Sequence, residues 1–198
     1  MVIEENLLYS MGASTKTYAA GDTIFVEGDW PMFYYQIIKG EVKLNNYNED
    51  GKETIQIIIE DGQSIGESLL FMEKFYPMNA VAITECEVIK LPRKAFISLL
   101  REDAEISYKM NKCLSQRLYF KLIMTQNLSS QNPMLKLIAL MDYLKSFAKD
   151  QQQYSFKIPL TRKQMAGLTG LCVETTIRTI KGMERASILK IEDRKIMY

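Results

Sequence analysis

The sequence contains no histidine at all. That removes the commonest general base, the commonest zinc ligand and the usual axial ligand of haem. Cysteine is nearly as scarce. Cys86, Cys113 and Cys172 are the three present, odd in number and far apart, with no C-x-x-C spacing. They read as small residues of the interior, and a Cys-ligated iron–sulfur cluster, which needs about four clustered thiolates, cannot be built within one chain. Long apolar runs are missing too. The most tempting, Ile55–Ile59, is strand-sized, far short of the ~20 residues that cross a bilayer. Met1–Tyr18 carries Glu4 and Glu5 and lacks a basic stretch followed by an apolar core, the pattern of a secretory leader. The expectation is a cytoplasmic protein with no membrane partner and no metal, haem or cluster. Carboxylates and tyrosines are available, but no spaced nucleophile–base pair, phosphate loop or metal set appears, so an enzyme is not expected.

What is present points elsewhere. Hydrophobic residues make up 47% and charged residues 25% of 198, which suits one large globular domain or two small ones. The net charge is close to zero, but its distribution is uneven. From Gln151 to Tyr198 there are nine Lys/Arg against four Asp/Glu; the preceding residues carry sixteen against twenty. A basic C-terminal module on an acidic body is an electrostatic footprint for nucleic acid.

From Thr17 to Leu91 the chain reads as short strands between glycine turns. Gly21, Gly28, Gly40, Gly51, Gly62 and Gly66 separate runs such as Thr23–Val26, Tyr34–Ile38, Val42–Tyr47 and Thr54–Ile59. Even spacing of this kind predicts an antiparallel barrel or sandwich. Asn48-Glu49-Asp50-Gly51 is a hairpin turn, and a last strand, Glu87–Leu91, stops at Pro92. Beyond Pro92 the period becomes helical. Phe96–Leu100 forms one short helix, and a longer one runs from Asp103 or Ala104 to Ser130 without Gly or Pro.

On that long helix Leu114, Leu118, Lys121, Thr125 and Leu128 fall at 4-3-4-3 spacing, a coiled-coil-like seam. Ile106, Met110, Cys113, Phe120 and Met124 form a second stripe. Two stripes imply two partners, its own barrel and the same helix of another subunit; burial within a single chain is the alternative. Asn132-Pro133 then supplies an N-cap and a proline at the first helical position, starting a helix to about Lys149. Asp150–Gln153 reads as a short linker.

The tail holds the most informative stretch. Thr161 can cap a helix with Gln164 three residues on, Ala166 lets helices approach closely, and Gly170 supplies a turn. A second helix starts near Val173, with Ile177, Ile180 and Met183–Glu184 as its expected buried side. Helix, glycine turn, helix with a polar outer face is a helix-turn-helix, or else an ordinary helical hairpin. Val173, Glu174, Thr175 and Arg178 would meet base edges, Glu accepting from cytosine and Arg donating twice to guanine. An intrahelical Glu174–Arg178 pair is the plainer reading, and both can hold. Thr161, Arg162, Lys163 and Lys181 suit phosphate contacts. Ile188–Lys190 and Lys195–Tyr198 look like a hairpin wing around a turn without glycine.

Taken in order, Gly21-Asp22-Thr23-Ile24-Phe25, Glu27-Gly28-Asp29, Tyr34–Val42, Gly51-Lys52-Glu53, Ile65-Gly66-Glu67 and Thr161–Lys181 resemble the Crp/Fnr superfamily of bacterial regulators from about Tyr18 onward. The resemblance implies an α+β protein: an N-terminal antiparallel, jelly-roll-like, cyclic-nucleotide-binding-like β-roll over 1–102, a long dimerisation helix and hinge over 103–131, and a winged helix-turn-helix over 132–198. It implies a homodimer on a palindromic site in double-stranded DNA, with RNA polymerase as a further partner. Val173-Glu174-Thr175 with Arg178 is closer to the Fnr branch, although Ile177 stands where that branch usually has Ser; a half-site core like TGA is the expectation.

The same resemblance places an effector pocket at Gly66, Glu67, Ser68, Met78, Asn79, Lys121 and Leu122. Cyclic-AMP-binding members carry an Arg-Ser pair that holds the phosphate, and its place falls within Phe75–Asn79, where no residue is basic. Lys121 and Leu122 stand where two small hydroxyl residues would meet the adenine. Cyclic AMP is therefore not the expected effector. A different small ligand, no ligand, or a purely structural Glu67 all stay open.

Overall fold

The computed structural model describes residues 2–128 and 130–198, without the side chains of Asn127 and Leu128. The chain forms two compact units, one up to Gln116 and one from Arg117 to Tyr198.

The first unit opens with α1 (Glu5–Ser10), followed by β1 (Ser14–Tyr18), β2 (Thr23–Phe25), β3 (Phe33–Lys39), β4 (Val42–Tyr47), β5 (Glu53–Ile59) and β6 (Ser64–Ile65). A 3-10 turn, Glu67–Phe71, leads to β7 (Asn79–Ala82), β8 (Cys86–Pro92), α2 (Arg93–Glu102) and the start of α3 (Ala104–Leu128). Two four-stranded antiparallel sheets result, in the orders β1-β8-β3-β6 and β2-β7-β4-β5. The expected jelly-roll-like body is present.

The alternation of β3 and β8 explains the layering. Tyr35 and Ile37 on β3, with Cys86 and Val88 on β8, enter the core between the sheets. Their sequence neighbours Tyr34, Ile89 and Leu91 face the opposite way, into a second core with Phe96 and Leu99 of α2 and Ile106 and Met110 of α3. A sheet buried on both faces needs apolar residues at consecutive positions, which is why β3 lacks a polar face. Its buried exception is Gln36, whose side chain accepts from the Ile3 N–H and the Tyr34 hydroxyl and donates to the Ile3 carbonyl at 2.8 Å. It pins the N-terminal segment. Sequence periodicity gave no sign of this contact.

The β4–β5 hairpin closes on the predicted turn. Gly51 has φ +74°, its N–H donates to the Asn48 carbonyl at 2.9 Å, and the Asn48 side chain accepts from Lys52 N–H. Gly40 has a different reason to be glycine: at φ +104° a Cβ would stand 2.5 Å from the Glu85 carbonyl oxygen.

The second unit contains the rest of α3, then α4 (Pro133–Lys145), α5 (Arg162–Thr169), α6 (Val173–Arg185) and a hairpin of β9 (Lys190–Glu192) and β10 (Lys195–Met197). Asn132 caps α4 as its sequence predicts, accepting from Met134 N–H at 2.9 Å, with Pro133 at the first helical position. The helix ends at Lys145 instead of Lys149. There the Gln151 side chain donates to the Lys145 and Ala148 carbonyls, closing the terminus with a turn. The Lys145 ammonium is buried and donates to the Gln152 and Tyr198 carbonyls at 2.7 and 2.9 Å.

Along α3 the second predicted stripe is the buried one: Ile106 and Met110 in the first unit, Phe120 and Met124 in the second. The seam behaves differently. Leu114 packs against the helical core of the first unit, whereas Leu118, Lys121 and Thr125 are exposed. The side chain of Leu128 lies outside the described residues. Among the described residues no helix is long and apolar enough to cross a membrane.

Candidate nucleic-acid interface

The interface is built on α5, its turn and α6. The Thr161 hydroxyl accepts from Gln164 N–H, and the Gln164 side chain accepts from Thr161 N–H at 2.7 Å, a complete capping box. Gly170 ends α5 at φ +69°, a left-handed cap that a residue with a Cβ would strain. Ala166 is buried, and the Leu171 N–H returns to its carbonyl at 3.0 Å. A tight turn between two closely packed helices follows from these four residues.

On α6 the buried side is Thr176, Ile180 and Met183, at i, i+4 and i+7. This corrects the expected buried face: Ile177 is 40% exposed and Glu184 is exposed as well. The helix is rotated by about one residue from the face read in the sequence. Thr176 can turn inward because its hydroxyl donates to the Cys172 carbonyl at 3.1 Å. Ile177 therefore faces outward beside Arg178.

That rotation leaves Glu174, Arg178 and Lys181 on the solvent side, with Val173 and Thr175 half-buried at the same end. Glu174 and Arg178 form no ion pair with each other among the described residues. The intrahelical pairing allowed by their spacing is thus not made, and neither side chain has an ion-pair partner among the described residues. Thr175 is engaged with Cys172 across 2.9 Å. That hydrogen bond holds the exposed Cys172 thiol below its ordinary range. Cys172 was expected in the interior; it stands exposed at the N-terminal end of α6 instead.

Among the expected phosphate contacts Lys163 is exposed, and the Thr161 oxygen is taken by the capping box. Arg162 is half-buried and donates through Nη1 to the Arg194 carbonyl. It anchors the wing before it can do anything else. The wing itself is a two-residue hairpin with Asp193 at φ +47° and Arg194 at φ +64°, a turn usually given to Asn-Gly. The wing expected around a turn without glycine is present, its turn built from two adjacent non-glycine residues. The hairpin also exposes Lys190, Arg194 and Lys195, cations signalled in the sequence only by the basic surplus of the tail.

The residues expected to line an effector pocket differ in their surroundings. Gly66 is buried at φ +70°, and a Cβ there would lie 2.8 Å from the Tyr76 ring and 2.9 Å from the Phe25 ring. Those rings stack with centroids 3.8 Å apart. Glu67 is fully buried, Ser68 is exposed, and Met78 packs against the inter-sheet core. Asn79 accepts from Glu27 N–H and donates to the Asn45 carbonyl. Lys121 and Leu122 are exposed on α3 in the second unit.

Sequence reading missed Tyr76. Its ring occupies the space over Gly66, and its buried hydroxyl has no partner among the described residues. Burial drives the Tyr76 phenol far above its ordinary value, with the charges of Tyr35 and Glu67 adding to the effect. Burial likewise pushes Tyr35 up to about 12.

Comparison with known proteins matches this architecture. A cyclic nucleotide-binding domain model matches residues 15–103, and a Crp-like helix-turn-helix domain model matches residues 136–197. The cAMP-activated global transcriptional regulator CRP of Haemophilus influenzae is 26% identical over 189 residues, covering 91% of this chain and 81% of its own. A lysophospholipase, nte1 of Neurospora crassa, is 31% identical over 99 residues; this stretch is 50% of the chain and only 6% of that enzyme. Two solved structures share the fold. CLP of Xanthomonas campestris superposes with a TM-score of 0.76 at 20% identity, covering 97% of this chain and 96% of that one. A CooA variant of Carboxydothermus hydrogenoformans gives 0.81 at 15% identity, covering 98% and 87%. With the sensor and helix-turn-helix domains matched in order over most of its length, the chain belongs to the Crp/Fnr superfamily of transcription regulators.

Proposed function

We propose that the protein works as a cytoplasmic homodimer that reads a palindromic site in double-stranded DNA through α6 and acts on transcription through RNA polymerase. The observation that carries the reading is the outer face of α6, where Glu174 and Arg178 are exposed and not ion-paired while Thr176, Ile180 and Met183 hold the helix from beneath. An Arg donating to guanine and a Glu accepting from cytosine specify bases. Lys163, Lys181 and the wing cations supply sequence-independent affinity through phosphates. The exposed seam at Leu118, Lys121 and Thr125 supports pairing through α3. Dyad symmetry would then set two half-sites about one helical turn apart.

The reading does not include cyclic AMP, although CRP of Haemophilus influenzae is named as cAMP-activated. A cyclic phosphate calls for a guanidinium partner, and Phe75–Asn79 offers none. Tyr76 and Phe25 fill the space over Gly66, where the ligand would approach the backbone. An effector other than cyclic AMP, and no haem or iron–sulfur cluster, completes the proposal. A catalytic role has little support, since the enzyme relative shares only the sensor portion.

Selection of binding sites from random duplexes by the full-length protein tests this. The expected outcome is a two-fold symmetric motif with a TGA-like half-site core, bound with steep salt dependence. Retention of no sequence, or of a motif without symmetry, would overturn it.

A further inference from the structure

The first unit carries a groove that the inter-sheet core does not use. It lies between α2 and the start of α3, beside the 3-10 turn, and has a volume of about 470 Å³. From α2 come Arg93, Ile97, Leu100 and Arg101, at i, i+4, i+7 and i+8, one stripe of the helix. From α3 come Met110 and Leu114, and Leu70 closes the floor. The two arginines thus line an apolar surface from positions eight residues apart on α2, a backbone rise of roughly 12 Å.

Their surroundings decide what the groove accepts. The Ser107 hydroxyl donates to the Leu100 carbonyl, and Asn111 Nδ2 donates to the Ser107 carbonyl at 3.0 Å, so both polar rim residues are engaged within the helices. Arg93 donates through Nε to the Leu70 carbonyl at 2.9 Å, which fixes its plane. Its Nη groups have no partner among the described residues. Arg101 is exposed with neither a hydrogen bond nor an ion pair among the described residues. A half-buried, oriented guanidinium without a carboxylate is an unfilled half of a fork–fork pair. A sugar or nucleotide does not suit the site, because its hydroxyls would meet Leu100, Met110 and Leu114 with no donor or acceptor to satisfy them.

We propose that this groove binds an amphipathic carboxylate, with an acyl or aryl body on Leu100, Met110 and Leu114 and the carboxylate held by Arg93 within the field of Arg101. The site is separate from the space over Gly66 and does not depend on the DNA-reading proposal.

Calorimetric titration of the full-length protein tests it with decanoate as the probe and decanol as the uncharged analogue. Saturable uptake of decanoate is expected, with decanol at least tenfold weaker. Arg101→Gln, an exposed change that leaves the fold intact by circular dichroism, should weaken decanoate severalfold and leave decanol unchanged. Arg93→Lys keeps the charge but loses the fork, and should weaken decanoate about tenfold, the loss of one charge-assisted contact. Leu114→Trp, at a half-buried lining residue, should abolish uptake by filling the groove, with the fold checked by circular dichroism. No saturable uptake by the wild-type protein would overturn the proposal, as it would if a second copy of the chain occupied this face. Equal binding of decanoate and decanol, or no effect of Arg101→Gln, would overturn it as well.

Discussion

The interior of the β-roll and the outer face of α6 put the same kinds of residue to opposite uses. Around Gly66, a carboxylate and an aromatic are packed into the core: Glu67 is fully buried and Tyr76 is 3% exposed. Along α6 the polar residues stay in solvent, because Thr176, Ile180 and Met183 supply enough apolar surface to hold the helix from one side. At the Gly66-Glu67 turn the space over Gly66 is occupied by the stacked rings of Tyr76 and Phe25.

The harshest way to break this contrast is Gly66→Ala. A Cβ at φ +70° is strained and collides with two stacked rings that are locked in the core. Denaturant unfolding should show a loss of about 3 kcal/mol, from left-handed strain plus overpacking. A near-neutral result would mean that the rings yield and the space over Gly66 is soft enough for a ligand.

Alkali should act next. Tyr35 titrates near 12 in the folded protein against an ordinary value of 10.0, so the fold holds its proton more tightly than the unfolded chain does. Its contribution is intact below pH 10 and is lost as pH rises through about 12. Tyr18 and Tyr76 shift in the same direction in the same unit. Thermal unfolding followed from pH 9 to pH 12 should show a falling midpoint above pH 10, and Tyr35→Phe should flatten that fall. A midpoint that rises with pH would contradict a buried, neutral tyrosine core.

Gly182 gives the smallest effect and sharpens the other side of the comparison. It sits within α6, its φ is not positive, and a Cβ there would meet nothing within 4 Å. Gly182→Ala should stabilise the protein by about 0.5–1 kcal/mol through helix propensity, without altering DNA binding. Weakened DNA binding in a more stable variant would show that the helix must bend at this residue.

Local devices were legible in the sequence. The Asn48–Gly51 turn, the Asn132-Pro133 helix start and the Thr161–Gln164 capping box each depend on residues within a few positions of one another. Packing across distance was not. The Tyr76 plug, the Gln36 clamp on Ile3 and the Arg162 contact to the wing join positions far apart in sequence, with no periodic trace. The α6 face was misread by one residue for a related reason. Hydropathy favoured Ile177 over Thr176 for the interior, but a threonine that returns its hydroxyl to the backbone is cheaply buried. The wing was legible as well, although Asp193 and Arg194 occupy turn positions usually held by glycine or asparagine.

Titration of a selected operator duplex with wild type and Arg178→Ala, at one fixed salt concentration, tests base reading by α6 most directly. The expected result is a loss of about 1–3 kcal/mol on the specific site, roughly fivefold to 150-fold, with non-specific affinity and thermal stability nearly unchanged. Lys163→Ala, by comparison, should weaken all duplexes alike and reduce the salt slope by about one. Equal specific binding by Arg178→Ala and wild type would mean that the exposed guanidinium does not read DNA.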